Sequence, residues 1–431
     1  MTAALNLAEQ GFGVYLVERE KELGGRLRQI YYTANGGDPQ ALLRELEEKV
    51  RRHQRIEVLT GCEVVKSSGF VGNFKTTVAS VDDPTQRLIE HGVTIVATGG
   101  QEWRGNAYLL GQDPRVITQG DLERLLARDR LPTSDPQSKI ENRKSKIETV
   151  VMVQCVGPWN EGGDMPFYCS RVCCGVAVKN ALRLKELSPD CHVYVLYKDM
   201  RTYGFKEAFY TEAREKGVIF LRYDDENKPD VQSVDGGLQV SVFEPILGQR
   251  LVLSPDLLVL STAVVPAEGS QDLAELLKFS CTLEGFFLEA HVKLRPVDFP
   301  AEGLFLCGAA HYPKFIDEAI AQAQAAAARA ATILSKEALE VGGVVAVVEE
   351  EKCTACLTCV RICPYDVPRI NPTRVGAGAI MGVAEIQAAA CQGCGICPAE
   401  CPAKAIQLQH YRDEQVLAKE EALFFIWLSS Y

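Results

Sequence analysis

The sequence of 431 residues lacks any apolar run near the roughly 20 residues that a membrane-spanning helix needs. It also lacks an excess of basic residues. The formal net charge is −11, and nucleic-acid binding requires a cationic face for the phosphates. The first residues do not have the pattern of a secretory leader, which favours a cytoplasmic protein. We therefore predict no membrane span and no nucleic-acid partner.

Cysteine, in contrast, is abundant: the chain has sixteen. Twelve of them lie in three tight groups, and Cys62, Cys191, Cys281 and Cys307 stand alone. Disulfide scaffolds are typical of small secreted domains, whereas close cysteine groups in a large chain of this kind are more typical of metal ligands. We expect metal binding at the three groups and simple packing for the isolated cysteines.

Two cysteine groups near the end of the chain repeat one pattern, C-x2-C-x2-C-x3-C-P, 38 residues apart. Two-residue gaps let three thiolates face one compact cluster, and the fourth cysteine ligates the other cluster. Tetrahedral zinc is the alternative, but the third evenly spaced cysteine and the duplicated Cys-Pro favour iron. This part resembles bacterial two-cluster ferredoxins. We assign one [4Fe–4S] centre to Cys353, Cys356, Cys359 and Cys401, and a second to Cys391, Cys394, Cys397 and Cys363.

Strands alternate with helices through the first 340 residues, which predicts two open parallel sheets, one inserted in the other. The first predicted helix is followed by a turn and a strand that ends at Glu18. In dinucleotide-binding units, an acid at the end of this strand binds a ribose. Several turns and strands that such units place against the cofactor follow in order. The expected cofactor contacts are Glu18, Gly24, Gly25, Arg26, Val64, Thr98, Gly99, Gly308 and Ala309.

Together these signals resemble flavoproteins of the thioredoxin reductase and glutamate synthase small-subunit type, and the resemblance implies a bound FAD. Two features depart from that pattern. The strand and G-x-G-x-x-G loop that should precede the first helix are absent, so we expect a chain without its N-terminal portion that binds FAD weakly or not at all. The usual acid after Gly308 is Ala309. No catalytic residue is assigned, except that Lys314 is a candidate to stabilise an anionic reduced flavin, with an exposed lysine as the alternative.

The third cysteine group lies at "QCVGPWNEGGDMPFYCSRVCC", residues 154–174, between a strand (149–153) and a helix predicted from about Ser170. A nicotinamide-binding unit would carry a Gly-rich phosphate loop here. The positive end of a helix favours thiolates, and adjacent cysteines cannot face one point on a regular helix, so we expect an irregular chain. A third Fe–S cluster is the functional interpretation, and a buried cysteine cluster or disulfide is the alternative. The proposed ligands are Cys155, Cys169, Cys173 and Cys174.

This stretch closely resembles the corresponding one in the A-type subunit of heterodisulfide reductase, and the resemblance extends from residue 1 to about 418. The implied fold is α/β: an FAD-binding Rossmann-like two-domain fold of thioredoxin reductase type with an inserted α/β domain, then an α+β two-cluster ferredoxin domain. The predicted division is 1–130 (first flavin part), 131–148 (linker), 149–253 (insert), 254–340 (second flavin part), 341–412 (ferredoxin domain) and 413–431 (tail).

The resemblance also implies an oxidoreductase component whose activity requires partner subunits, working by flavin-based electron bifurcation in methanogenesis. Its implied partners are B- and C-like subunits acting on the CoM–CoB or another disulfide, a hydrogenase or formate dehydrogenase module, soluble ferredoxin, and a second copy of the chain within the complex. Three alternatives remain open. They are an NAD(P)H-dependent oxidoreductase of the glutamate synthase small-subunit type, a plain ferredoxin-like carrier, and a non-catalytic truncated product.

Overall fold

The computed structural model describes residues 1–83, 85–128, 147–160, 167–340 and 342–428. In these ranges the helices are α1 (Thr2–Glu9), α2 (Pro39–Arg52), α3 (Gln119–Leu126), α4 (Cys173–Leu187), α5 (Glu207–Glu215), α6 (Ser270–Leu277), α7 (Ile316–Leu334), α8 (Thr358–Ile362), α9 (Ile396–Glu400) and α10 (Asp413–Leu428). Among the described residues, no helix is long and apolar enough to pass through a bilayer. Most of the predicted linker, 131–148, falls outside the described residues.

The strands are short, and most belong to small parallel or antiparallel sheets. In chain order they are β1 (Val14–Glu18), β2 (Ile56–Thr60), β3 (Cys62–Phe70), β4 (Asn73–Ser80), β5 (Gln86–His91), β6 (Thr94–Val96), β7 (Gly100–Glu102), β8 (Val116–Thr118), β9 (Thr149–Val156), β10 (His192–Tyr197), β11 (Ile219–Arg222), β12 (Asp230–Val234), β13 (Gly237–Glu244), β14 (Gln249–Leu253), β15 (Leu257–Thr262), β16 (Val264–Pro266), β17 (Leu304–Leu306), β18 (Ala346–Val348), β19 (Arg369–Val375), β20 (Met381–Glu385) and β21 (Ile406–Leu408).

The first α/β unit is built from two parallel strand pairs and two packed helices. β1 pairs with β2, and β6 pairs with β17. Helix α7 buries alanines at 323, 326, 327 and 330, a spacing that places them on one face. Because these side chains are small, α1 packs closely against α7, with Leu7 in the shared core. Parallel strands share one carboxyl edge, so the residues that follow β6 and β17 lie on the same side of that pair.

The second unit is a five-stranded parallel sheet with the order β11-β10-β9-β15-β8. Helices α3, α4 and α5 cover one face, and the antiparallel β12-β13-β14 sheet covers the other. Val150, Val151, Met152 and Val153 of β9 are completely buried, as expected for a central strand covered on both faces.

The prediction that the insert spans 149–253 is wrong at both ends, since β8 and β15 belong to its sheet. Leu258 of β15 lies beside Val151 of β9, so β15 lies inside this sheet, between β9 and β8, instead of returning to the flavin part. All six residues of β15 are buried. A strand that is covered on both faces fits any such sheet, so its sequence alone does not say which sheet it joins.

The ferredoxin part repeats one small unit twice. β18 pairs with β21 and β19 with β20, both antiparallel, and the short helices α8 and α9 pack together. Its core combines apolar side chains with three cysteines: Ala346, Val383, Ala384, Ala405, Ile406, Cys353, Cys359 and Cys401. The final helix, α10, follows this unit and exposes Leu417, Leu423 and Phe424.

Candidate functional site

The four insert cysteines line one cavity of about 390 Å³ at the carboxyl end of the five-stranded sheet. Cys155 comes from the end of β9, Cys169 from the following loop, and Cys173 and Cys174 from the first turn of α4. The cavity wall is strongly charged. Its charged side chains are Lys198, Asp199, Arg201, Arg222, Asp224 and Asp225.

Helix α4 begins at Cys173, not near Ser170, so the predicted start is wrong by three residues. The expected irregularity lies upstream of the paired cysteines instead of between them. Arg171 has φ 62° and Cys155 has φ 60°, both in the left-handed region that favours glycine. These two kinks turn the chain so that all four thiols reach the same cavity.

Burial makes the Cys155 thiol a poor thiolate unless a cation compensates for the charge. Burial, and after it the neighbouring thiols of Cys174 and Cys169, raise the pKa of Cys155 to about 12. The hydrogen bond between Cys173 and Cys174 raises the pKa of the first thiol and lowers that of the second to about 7. A metal cluster that binds thiolates supplies the missing positive charge, so this donor set fits one.

A main-chain N–H donates to one of these sulfurs. The Arg171 N–H lies 3.3 Å from Cys169 Sγ. The same cysteine is tied to the flavin part, because the Tyr312 hydroxyl donates to the Cys169 carbonyl oxygen at 3.1 Å. The cysteine loop is therefore packed directly against the 308–315 segment.

The predicted contacts of the first flavin part lie at or near the carboxyl edge of its strands. Glu18 is half-buried at the end of β1, where its Oε1 accepts the Glu20 N–H at 3.0 Å. Gly24 (φ 111°) and Gly25 (φ 47°) give the next turn its left-handed backbone. Burial lowers the pKa of Arg26, against the opposing pull of two nearby carboxylates. Val64 is half-buried in β3.

Two further turns that are predicted to contact the flavin follow two adjacent strands. Thr98 and Gly99 follow β6, and Gly308 and Ala309 follow its partner β17. Gly308 has φ 73°, and its N–H donates to Gln322 Oε1 of α7 at 2.9 Å. These positions fit a dinucleotide lying along the strand ends.

A polar network that the sequence did not reveal surrounds Lys314. Because Gln322 Oε1 accepts from Gly308, its Nε2 donates to His311 Nδ1 at 2.7 Å. His311 therefore carries its proton on Nε2, which donates to Glu289 Oε2 at 2.9 Å. Lys314 Nζ lies 3.3 Å from His311 Nδ1, and burial lowers its pKa to about 8. Lys314 thus belongs to a hydrogen-bond network with His311, Gln322 and Glu289, and it is not a free surface lysine.

The structure brings the ferredoxin cysteines together as the crossed assignment predicts. Cys353, Cys356 and Cys359 line one pocket together with Cys401 of the other repeat. Main-chain N–H groups donate to two of these sulfurs, from Ala384 to Cys353 at 3.4 Å and from Ala405 to Cys401 at 3.3 Å. Such bonds stabilise thiolate ligands and tune a bound cluster.

The second group combines the other three cysteines of the late motif with Cys363. The pKa of Cys397 is raised to about 12, first by burial and then by Cys391, Cys363, Cys394 and, from the other group, Cys359. The Ala346 N–H donates to Cys391 Sγ at 3.4 Å. Each group leaves one cysteine exposed, Cys356 in the first and Cys394 in the second.

The alternatives to iron–sulfur clusters fit this geometry less well. Within the described ranges, no three Cys, His, Asp or Glu side chains converge closely enough to hold a single metal ion, as zinc would need. All sixteen cysteines are free thiols, so no disulfide joins the insert group. Two of the pockets are each lined by four thiols, which is the number of ligands that a [4Fe–4S] cluster takes.

Comparisons with known proteins show the family to which this chain belongs. The model of the 4Fe-4S binding domain matches residues 346–369. The A-type subunit of the "H(2):CoB-CoM heterodisulfide,ferredoxin reductase" of Methanothermobacter thermautotrophicus is 32% identical, and the match covers 97% of this chain and 74% of that protein. The A-type subunit of the "H(2)/formate:CoB-CoM heterodisulfide,ferredoxin reductase" of Methanococcus maripaludis is 30% identical, covering 96% and 74%.

Among solved structures, LpdA from Mycobacterium tuberculosis matches 80% of this chain and 73% of its own, with a TM-score of 0.50 and 13% identity. At that identity the likeness supports the fold alone. The predicted fold class, an FAD-binding Rossmann-like two-domain fold followed by a ferredoxin domain, is confirmed. The chain is an oxidoreductase component and belongs to the family of heterodisulfide reductase A-type subunits.

Proposed function

We propose that this chain transfers electrons between FAD and three [4Fe–4S] clusters inside a heterodisulfide reductase-like complex. The observation that carries the proposal is the direct contact between the insert cysteine loop and the flavin part, where Tyr312 binds the carbonyl of Cys169. Bound FAD exchanges two electrons and each cluster exchanges one, so a flavin beside a cluster can divide an electron pair. This division is the basis of flavin-based electron bifurcation.

The residues of this chain have separate tasks in the proposal. Two groups of four cysteines hold clusters in the ferredoxin part, and the insert group holds the third. The strand ends at Glu18, Thr98 and Gly308 bind FAD, and the N-terminal end of α7 favours negative charge on it. Lys314, whose pKa is lowered to about 8 by burial, adds a positive charge or a proton donor beside that site at neutral pH.

Disulfide chemistry is assigned to a partner. In this proposal the insert thiols are used as cluster ligands. The lone Cys307 is buried, and burial raises its pKa to about 11, which makes it a poor nucleophile. The names of the relatives include H(2), formate, ferredoxin and the CoB-CoM heterodisulfide. For this chain we propose as partners ferredoxin, a hydrogenase or formate dehydrogenase module, and B- and C-like subunits that act on the CoM–CoB or another disulfide. The proposed setting is the cytoplasm, with a second copy of the chain in the complex.

The test is an anaerobic redox experiment on the chain reconstituted with iron, sulfide and FAD. Chemically reduced ferredoxin should bleach the flavin absorbance, and NADH or NADPH should leave it unchanged. Bleaching by NADH or NADPH would instead support an NAD(P)H-dependent oxidoreductase. Clusters without any bound flavin would make the chain a plain electron carrier.

A further inference from the structure

Arg171 has an unusual position in the cysteine loop. It lies between Cys169 and Cys173, its backbone is left-handed with φ 62°, and its N–H donates to Cys169 Sγ at 3.3 Å. A residue with a side chain adopts this conformation only when its surroundings hold it there. The hydrogen bond to sulfur therefore depends on something that keeps Arg171 in place.

The side chain of Arg171 provides that restraint, since it is fastened to the flavin part. Its Nη2 lies 3.0 Å from Glu318 Oε1, 147 residues away in the chain, and 3.2 Å from the Tyr203 hydroxyl. Tyr203 in turn donates to the same Glu318 oxygen at 2.9 Å, and the guanidinium lies 5.1 Å from the centre of the Tyr203 ring. The three side chains form a closed cluster that is only partly exposed.

Glu318 is itself fixed, because it belongs to the first turn of α7. Its other oxygen, Oε2, accepts the Phe315 N–H at 2.9 Å and caps this helix. The ring of Phe315 fills the space beside Gly175, where an added Cβ would lie 2.8 Å from it. The cysteine loop and α7 are thus held together on both sides of Arg171.

We propose that Arg171 is a positioning residue for the insert cluster. By binding Glu318, it holds its own main-chain N–H on Cys169 Sγ, and so it sets the reduction potential of the cluster and couples the cysteine loop to α7. Hydrogen bonds to cluster sulfurs raise the reduction potential, so release of the loop should lower it. This inference rests on the proposed function, since it assumes that the insert binds a cluster.

The test is a redox titration of the reconstituted chain followed by electron paramagnetic resonance. Arg171→Lys keeps the positive charge but loses the planar contact with Glu318 and Tyr203. We expect the reduction equilibrium of the insert cluster to become about tenfold less favourable, which for one electron corresponds to about 59 mV. The two ferredoxin clusters serve as internal controls and should not shift, and the iron content should stay the same.

A second variant separates positioning from simple electrostatics. Glu318→Gln removes a negative charge near the insert, so a purely electrostatic effect would raise the potential. The positioning account predicts a lower potential, because the clamp on Arg171 weakens. Arg222→Lys is the control matched to Arg171→Lys, because it also keeps the charge: Arg222 lines the same cavity, but its Nε binds the Lys198 carbonyl oxygen at 3.1 Å instead of the cysteine loop. In this control variant, the reduction equilibrium of the insert cluster should change by less than twofold.

Several results would contradict the inference. An unchanged potential in Arg171→Lys, a rise in Glu318→Gln, or an Arg222→Lys shift as large as that of Arg171→Lys would each overturn the positioning role while the third cluster remains. Loss of iron in both Arg171→Lys and Glu318→Gln would make Arg171 a purely structural residue. A wild-type chain without a third cluster signal would overturn the proposed function as well.

Discussion

The ferredoxin part and the insert both gather cysteines in groups of four, but they do so by different means. In the ferredoxin part, three cysteines of each group come from one tight loop and the fourth from the other repeat, and one cysteine of each group is exposed. In the insert, the thiols come from a strand end, a loop and a helix start, and no insert cysteine is exposed. The regularly spaced cysteines of the ferredoxin part are therefore accessible from solvent. The irregularly spaced cysteines of the insert are enclosed and lie against the flavin part.

The two regions also differ in what surrounds the sulfur atoms. The ferredoxin groups receive N–H donors from small residues, Ala346, Ala384 and Ala405. The insert group has a donor from Arg171 and a wall of charged side chains. This difference predicts that damage to one region leaves the other intact.

The largest expected effect tests that independence directly. Replacing both Cys169 and Cys173 with Ser should lower the iron content by about a third, from about twelve to about eight irons per chain. The ferredoxin cluster signals should persist. Cys62→Ser is the control, since Cys62 lies outside the three groups and should not change the iron content. A parallel loss of the ferredoxin signals would show that the two regions are not independent.

A single substitution tests the crossed ligand sets within the ferredoxin part. Cys401→Ser should release the cluster of the early motif, because Cys401 lines the pocket of Cys353, Cys356 and Cys359. Alkylation followed by mass spectrometry should then label those three cysteines. Cys391, Cys394 and Cys397 should stay protected. Labelling of the late motif instead would mean that each cluster takes its four ligands from one repeat.

A smaller effect is expected from the backbone of the two repeats. Equivalent positions are left-handed in both, but the second repeat has Gly393 where the first has Ala355. Gly393→Ala should destabilise by about 2 kcal/mol or more, because its Cβ would lie 2.4 Å from the Val344 carbonyl oxygen. Ala355→Gly should change stability by less than about 1 kcal/mol, since relief of strain is offset by greater freedom in the unfolded chain.

The urea concentration at which cluster absorbance is lost measures this difference. Equal midpoints for Gly393→Ala and Ala355→Gly would mean that the loop backbone does not limit the stability of the cluster sites.

The smallest effect concerns Lys314 on the flavin side of the insert. Its pKa is lowered to about 8, mainly by burial, so amine acylation at this residue should rise with pH around 8, well below the ordinary lysine range near 10.5. Since the unfolded chain binds the extra proton, the contribution of Lys314 to stability should increase as the pH rises from about 8 to 10.5. The acylation of Lys314 is measured by mass spectrometry of flavin-free protein labelled at several pH values, with the exposed Lys293 as reference.

An ordinary lysine profile for Lys314 in that experiment would contradict the buried network around His311. In denatured protein, the acylation of Lys314 around pH 8 should fall to that of an ordinary lysine, because unfolding removes the burial.

The sequence predicted what depends on local spacing and missed what depends on distant contacts. The pairing of Cys401 with the early motif followed from a repeated pattern, and β1 ends at Glu18 as predicted from the order of helix, turn and strand. The sheet to which β15 belongs could not be predicted, because a strand that is buried on both faces has no alternation of apolar and polar residues. Arg171 was also missed, since its partner Glu318 is far away in the sequence. The tie of His311 to Glu289 likewise exists only in the folded chain.

The proposal of a third cluster beside the flavin is tested most directly by the iron, acid-labile sulfide and flavin content of the anaerobically reconstituted chain. The account predicts about twelve irons and as many sulfides per chain, from three four-iron clusters. About eight irons, with Cys155, Cys169, Cys173 and Cys174 fully open to alkylation, would contradict it.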